Sequence, residues 1–210
     1  MPRYLDIESW NRKEQFYFFR EYDYPFFNIC ADVDVTEVLK YCKRQDISFF
    51  QATLFLSLKT ANEIEPFRYR IRGDKVLVHE VIHGGSTVLN EDETFSFSYF
   101  SYYAGFREFT ERATVDLEKK SFDPQDERDD LIHYSIIPWI SFTSFSHARK
   151  FRKSDSVPKI VFGKYHRQDA DTKMPVSVEV HHALMDGIHV GKFFELFQEY
   201  LKSPQKVLMS

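Results

Sequence analysis

The stretch Met174–Phe194 reads MPVSVEVHHALMDGIHVGKFF. Its first third alternates, with Val176, Val178 and Val180 on one side and Ser177, Glu179 and His181 on the other. That is the two-residue period of a strand. From Ile188 the apolar spacing changes to Val190, Phe193, Phe194 and Phe197, which is helical. His182 therefore falls where a strand runs out, and Asp186 stands four residues later at the turn into a helix. Gly187 is expected to relieve the backbone at that turn, because glycine alone adopts unusual dihedrals without penalty. A histidine at a strand end with a carboxylate held nearby is well placed for proton transfer.

Composition narrows what surrounds this stretch. The chain has 210 residues, which suits a single domain spanning residues 1–210 with a substantial core. Hydrophobic residues make up 43% of it, so it is globular and not disordered. The 22 Phe and 12 Tyr favour β-structure and aromatic-lined cavities. Net charge is −4 with both signs interspersed, so no nucleic-acid footprint is evident. Two cysteines, Cys30 and Cys42, suffice neither for a disulfide scaffold nor for a four-ligand metal site. No apolar run approaches the ~20 residues of a membrane span, and the polar N-terminal stretch lacks a secretory apolar region. A cytoplasmic protein without nucleic-acid or membrane partners is the expectation.

Read in order, residues 6–22 pattern as a helix with Ser9 as its N-cap, and Phe26–Asp34 as a short strand. Thr36–Gln45 and Phe49–Glu63 pattern as helices. Phe67–Ile71 and Lys75–Val81 form a hairpin around Arg72-Gly73-Asp74. Ser86–Asn90 and Thr94–Tyr99 read as strands, and Tyr103–Lys119 as a helix with Phe106, Phe109 and Val115 inward. A long strand region covers Ile132–Phe145, interrupted by Pro138. Residues 146–156 are basic and polar. Lys159–Tyr165 and Pro175–His181 pair as a hairpin, and a last helix runs from about Ile188 to Lys202. Helices and strands mix without regular βαβ alternation. The expected fold is a two-layer α/β sandwich, with a mixed, largely antiparallel sheet covered by helices.

Three of eight histidines cluster at 181, 182 and 189. An unperturbed imidazole titrates near ~6.5 and so accepts protons at neutral pH. If His182 points inward, His181 points the other way. Histidine and carboxylate can also hold zinc, but no third and fourth ligand recur at matching spacing, so no metal is expected. Ser141, Thr143 and Ser144 alternate with large residues, which suits a plain amphipathic strand as well as a hydroxyl donor to an oxyanion.

The segment His181-His182-Ala-Leu-Met-Asp186-Gly187 resembles the H-H-x-x-x-D-G signature of the coenzyme A-dependent acyltransferases. With Ile188-His189-Val190-Gly191 it resembles the chloramphenicol acetyltransferase family of the trimeric type. The blocks Trp10–Phe16, Thr87-Val88 with Glu93–Ser96, Pro138–Phe145 and Gly163-Lys164-Tyr165 resemble that family's blocks in the same order. The resemblance implies His182 as general base, Ser144 as the serine that hydrogen-bonds the tetrahedral oxyanion, and an Arg12–Asp186 ion pair holding the active-site turn. It implies acetyl-CoA as co-substrate with no permanently bound cofactor, a small hydroxyl-bearing acceptor (chloramphenicol by family default), and a homotrimer with its site between subunits. Resistance to an antibiotic is the family's associated role.

Departures fall on the acceptor side. Phe19 stands where the family has a tyrosine, Asp23 where an apolar residue is usual, and Val161 where a threonine positions a water. Ser48 replaces a lysine at the coenzyme end, and Lys164 and Tyr165 are candidate coenzyme contacts. The basic 146–156 segment replaces a mostly apolar wall. Two rivals accompany the acetyltransferase reading. One is a dihydrolipoamide-type acyltransferase, which usually carries lipoyl segments that this sequence does not show. The other is a non-catalytic ligand-binding homologue, against which Arg12, Ser144, His182 and Asp186 together argue.

Overall fold

The computed structural model describes residues 3–119, 121–125, 127–149 and 155–209. Strand β1 (Arg3–Tyr4) leads to helix α1 (Lys13–Phe19) and strand β2 (Phe26–Asp34), then to helices α2 (Thr36–Gln45) and α3 (Phe49–Glu63). A 3-10 turn at Glu65–Arg68 precedes the hairpin β3 (Tyr69–Arg72) and β4 (Lys75–Val78). Next come β5 (His83–Leu89), β6 (Phe95–Phe100), α4 (Phe106–Glu118) and β7 (Leu131–Ile137). Strands β8 (Lys159–Gly163), β9 (His166–Gln168) and β10 (Asp171–His181) follow, then α5 (Gly187–Lys202) and α6 (Gln205–Leu208).

Seven strands make the main sheet, in the order β2-β10-β8-β7-β5-β6 with β9 also paired to β10. The β8–β7 and β7–β5 pairs are parallel and the rest antiparallel, so the sheet is mixed as expected. Strands β1, β4 and β3 form a separate small sheet. One face of the main sheet is apolar. Ile132, Ile160, Val176, Val178 and Val180 are fully buried there under the helices. Phe162 stacks on Phe197 of α5, and the Tyr134 hydroxyl meets Ser57 of α3 at 3.2 Å. Helix α3 is buried nearly all round, which marks it as the central helix. The Ser48 side chain caps it by accepting the Gln51 N–H at 3.3 Å.

The opposite face carries His133 and Ser135 from β7, Lys159 from β8, and Ser177, Glu179 and His181 from β10. Of these, Ser177, Glu179 and His181 are buried despite being polar. The segment through Arg149 covers them: its guanidinium lies 3.6 Å from the Phe26 ring centroid and donates to Glu179 at 2.6 Å.

Several expectations are corrected. The first helix spans only Lys13–Phe19, with Arg12 and not Ser9 at its N-cap. The Ser9 hydroxyl instead donates to the Asp6 carboxylate at 2.8 Å, closing a turn ahead of the helix. The long strand stops at Ile137, since Pro138 has no N–H for a ladder and no strand continues over 139–149. Trp139 and Ile140 are exposed, and so is Val115. The second strand of the small hairpin ends at Val78, not Val81. Gly187 needs no glycine conformation: among the glycines only Gly73 has positive φ, at 59° in the β3–β4 turn. Of the basic 146–156 segment, residues 150–154 lie outside the described residues.

Candidate active site

His182 is the first residue beyond β10, and its N–H donates to the Pro25 carbonyl at 2.7 Å. Its imidazole lies flat on Phe19, with centroids 3.8 Å apart and planes 7° apart, and Phe27 flanks it at 4.7 Å. Nδ1 is buried, 3.1 Å from Asp186 Oδ1 but off the direction of a hydrogen bond. Nε2 is neither buried nor bonded among the described residues, so it is the nitrogen open to a substrate.

Arg12 fixes the turn from behind. Its guanidinium pairs with both Asp186 carboxylate oxygens and donates to the His182 carbonyl at 2.9 Å. The ion pair expected from the resemblance is thus formed, and Arg12 additionally holds the backbone of His182. At the start of α5, His189 Nδ1 accepts the Asp186 backbone N–H at 2.9 Å, a bond that spacing alone did not suggest. The two neighbouring histidines face apart. His182 sits with Phe27 on the helix side, and His181 packs against Phe26 on the other.

That other side holds a cavity of about 440 Å³. Phe97 and Tyr99 of β6 form its aromatic wall, while His133, Ser135, His147, Arg149 and Lys159 line its polar side. Gly85 gives the Tyr99 ring room to lie across the sheet, since a Cβ there would meet the ring at 2.9 Å. Burial pushes the His133, His147 and His181 imidazoles down, to about 4, 3 and 4 respectively. They are uncharged at neutral pH.

The remaining expected residues scatter around these two centres. Ser144 is exposed in the irregular segment after β7 and does not line the cavity. Three serines do, Ser86, Ser135 and Ser156. Ser86 donates to the Thr87 carbonyl and Ser156 accepts the Ile71 N–H, whereas the Ser135 hydroxyl makes no hydrogen bond among the described residues. The alternation of His133 and Ser135 against Ile132, Tyr134 and Ile136 carries that signal in the sequence. Val161 is fully buried, and Asp23 is exposed beyond α1. Lys164 and Tyr165 are exposed just past β8, with Tyr165 edge-on to Phe49 at 5.7 Å. Cys42 is buried, and burial pushes its thiol up to about 11, so it supplies no thiolate. No group of three or more metal-type ligands occurs among the described residues. No helix among them is long and apolar enough to cross a membrane.

This arrangement is the coenzyme A-dependent acyltransferase fold. A solved dihydrolipoamide acetyltransferase of Azotobacter vinelandii shares it at 14% identity and a TM-score of 0.69, over 93% of this chain and 88% of that one. A solved chloramphenicol acetyltransferase is closer, at 30% identity and a TM-score of 0.88, over 96% of this chain and all of that one. The family model described as chloramphenicol acetyltransferase matches residues 3–198, and the chain belongs to that family. Its relatives include the chloramphenicol acetyltransferase of Klebsiella sp, 30% identical over 93% of this chain and 92% of that protein. Chloramphenicol acetyltransferase 3 of Escherichia coli is 27% identical over 96% of this chain and 98% of that protein. The protein is an acetyl-CoA-dependent acetyltransferase of this family.

Proposed function

We propose that His182 is the general base of acetyl transfer from acetyl-CoA to an acceptor hydroxyl. The observation that carries this is the geometry of the residue: its ring is stacked on Phe19, its carbonyl is held by Arg12, and Nδ1 is buried while Nε2 is open. Nε2 takes the hydroxyl proton as the acceptor oxygen bonds to the thioester carbon. The carbon–sulfur bond then breaks, and Nε2 returns the proton to the departing thiolate. Such a base contributes roughly 10²–10⁴-fold. The transfer is direct, because Cys42 is held as a thiol and Cys30 lies in no nucleophile setting. Asp186 and Arg12 position the turn and are not themselves proton carriers.

A serine hydroxyl donates to the oxyanion. The resemblance implies Ser144; the cavity offers Ser135, whose hydroxyl is unbonded among the described residues and so free to donate. We assign the role to Ser135. Lys164 and Tyr165 serve the coenzyme end, and Lys164→Ala is expected to raise the KM for acetyl-CoA. Chloramphenicol, for which the relatives are named, is the first acceptor to assay.

His182 and the cavity occupy opposite faces of one sheet, so the cavity of one copy is served by the His182 of another. The homotrimer implied by the resemblance supplies that second copy, and exposed Phe18, Tyr22, Trp139 and Ile140 give it apolar surface to bury. Mixing two inactive variants, His182→Ala and Ser135→Ala, by co-refolding tests this. Recovery of acceptor-dependent thiol release is expected, since some sites then combine an intact histidine with an intact cavity. A mixture as inactive as its components contradicts shared sites.

A further inference from the structure

The charged groups around the cavity are not equally occupied. Arg149 donates to Glu179 at 2.6 Å and to Asp155 at 2.7 Å, with its own side chain 2% exposed. Arg128 is paired with Asp130 at 3.0 Å, and Asp129 with Arg72 at 2.7 Å and His79 at 3.0 Å. Lys159 differs. Its ammonium donates to the Ala148 carbonyl at 3.1 Å and has no carboxylate at ion-pair distance among the described residues. Two of its three N–H donors are therefore unspent among the described residues.

Its surroundings leave that charge under-compensated. Lys159 is held below the usual lysine range, because lost hydration and the nearby Arg149 guanidinium outweigh the pull of Asp155 and Glu179. His133 is its parallel-strand neighbour and His147 lines the same cavity; both imidazoles are uncharged, and His147 Nε2 is buried without a partner. A buried polar atom without a partner is costly, and a ligand that reaches it recovers that cost.

We propose that the cavity takes an acceptor carrying a carboxylate beside the hydroxyl to be acetylated, and that Lys159 is the residue that selects it. This rests on the acetyl-transfer reading above and narrows its acceptor. A single negative charge matches the cavity's one free ammonium among the described residues; a phosphate dianion would bring a second charge towards Asp155 and Glu179, where repulsion opposes it. The aromatic wall of Phe97 and Tyr99 accommodates a flat apolar portion of the same molecule. Lys159 and Arg149 together make this side of the pocket charged.

Mandelate and mandelamide share an aryl ring and a hydroxyl and differ in charge. Equilibrium binding of each to the intact wild type, Lys159→Met and Lys159→Arg tests the proposal, with acetyl-CoA binding and thermal melting measured alongside. Mandelate is expected to bind the wild type and Lys159→Arg at least about tenfold more tightly than mandelamide. Lys159→Met is expected to lose that preference while binding acetyl-CoA normally. Equal binding of the two compounds to wild type, no binding of mandelate, or a preference that survives Lys159→Met overturns the proposal. The acetyl-transfer reading fails separately, by absence of acetyl-CoA binding in the wild type.

Discussion

The imidazole of His182 lies on the ring of Phe19, with centroids 3.8 Å apart and planes inclined by only 7°. Phe19 ends α1 and His182 follows β10, so two elements far apart in the chain share the orientation of the base. Removing the ring frees the imidazole to rotate, and a misplacement of about 1 Å costs up to ~10²-fold in rate. Phe19→Ala is expected to lower kcat by about 10–100-fold with acetyl-CoA binding unchanged. Phe19→Tyr keeps the stacking surface and is expected to stay near wild type. Steady-state kinetics on both variants check this.

Arg12 is buried while the Asp186 side chain is 37% exposed. The pair therefore lies between the surface and interior regimes, and Arg12→Ala is expected to cost about 1–3 kcal/mol of stability. Because Arg12 also holds the His182 carbonyl, kcat falls as well. Denaturant unfolding of Arg12→Ala and Asp186→Asn measures the first effect. A variant with full turnover would show that the turn holds itself.

The two serines separate cleanly. Ser135→Ala is expected to lower kcat by about 10²–10³-fold, the usual loss for one oxyanion donor. Ser144→Ala, on the exposed segment, is expected to leave kcat within a few-fold of wild type. The opposite pattern would return the role to Ser144.

Much of this was legible in the sequence where local pattern and tertiary packing agree. The boundaries of α2 and α3 fall where the sequence pattern puts them, because α2 buries one face through Val38, Tyr41 and Cys42 and α3 buries nearly all of its residues. The turn from His182 to Asp186 was likewise readable from the change of period. Failures have physical causes. Alternation in Trp139–Phe145 looks like a strand, yet a strand needs a hydrogen-bonded ladder, and among the described residues this segment has only the single backbone bond from the Lys164 N–H to the Ile140 carbonyl. The polar cavity was hidden because Ser135, Lys159 and Arg149 are separated in sequence. Only the register His133–Lys159 and Lys159–Glu179 brings their strands together.

Three uncharged, desolvated histidines set the acid limit of stability. Their folded pKa values, about 4, 3 and 4 for His133, His147 and His181, lie below the unfolded value near 6.5. The unfolded chain therefore binds more protons between these values, and stability falls as pH drops from about 6.5 towards 4. The Asp129 and Asp155 carboxylates, held low by His79 and Arg72 and by Arg149 against the opposing effect of burial, extend the loss further into acid. Melting temperature is expected to be level above pH 7 and to decline steadily below pH 6.5. A flat profile from pH 7.5 to 5 would contradict uncharged burial of these rings.

Acetyl-CoA-dependent thiol release in wild type and His182→Ala tests the central claim most directly, first with chloramphenicol and then with mandelate as acceptor. Turnover with the accepted alcohol is expected to fall by about 10²–10⁴-fold in the variant, while acetyl-CoA binding and melting temperature stay the same. Wild-type turnover in His182→Ala would contradict the assignment of His182 as the base.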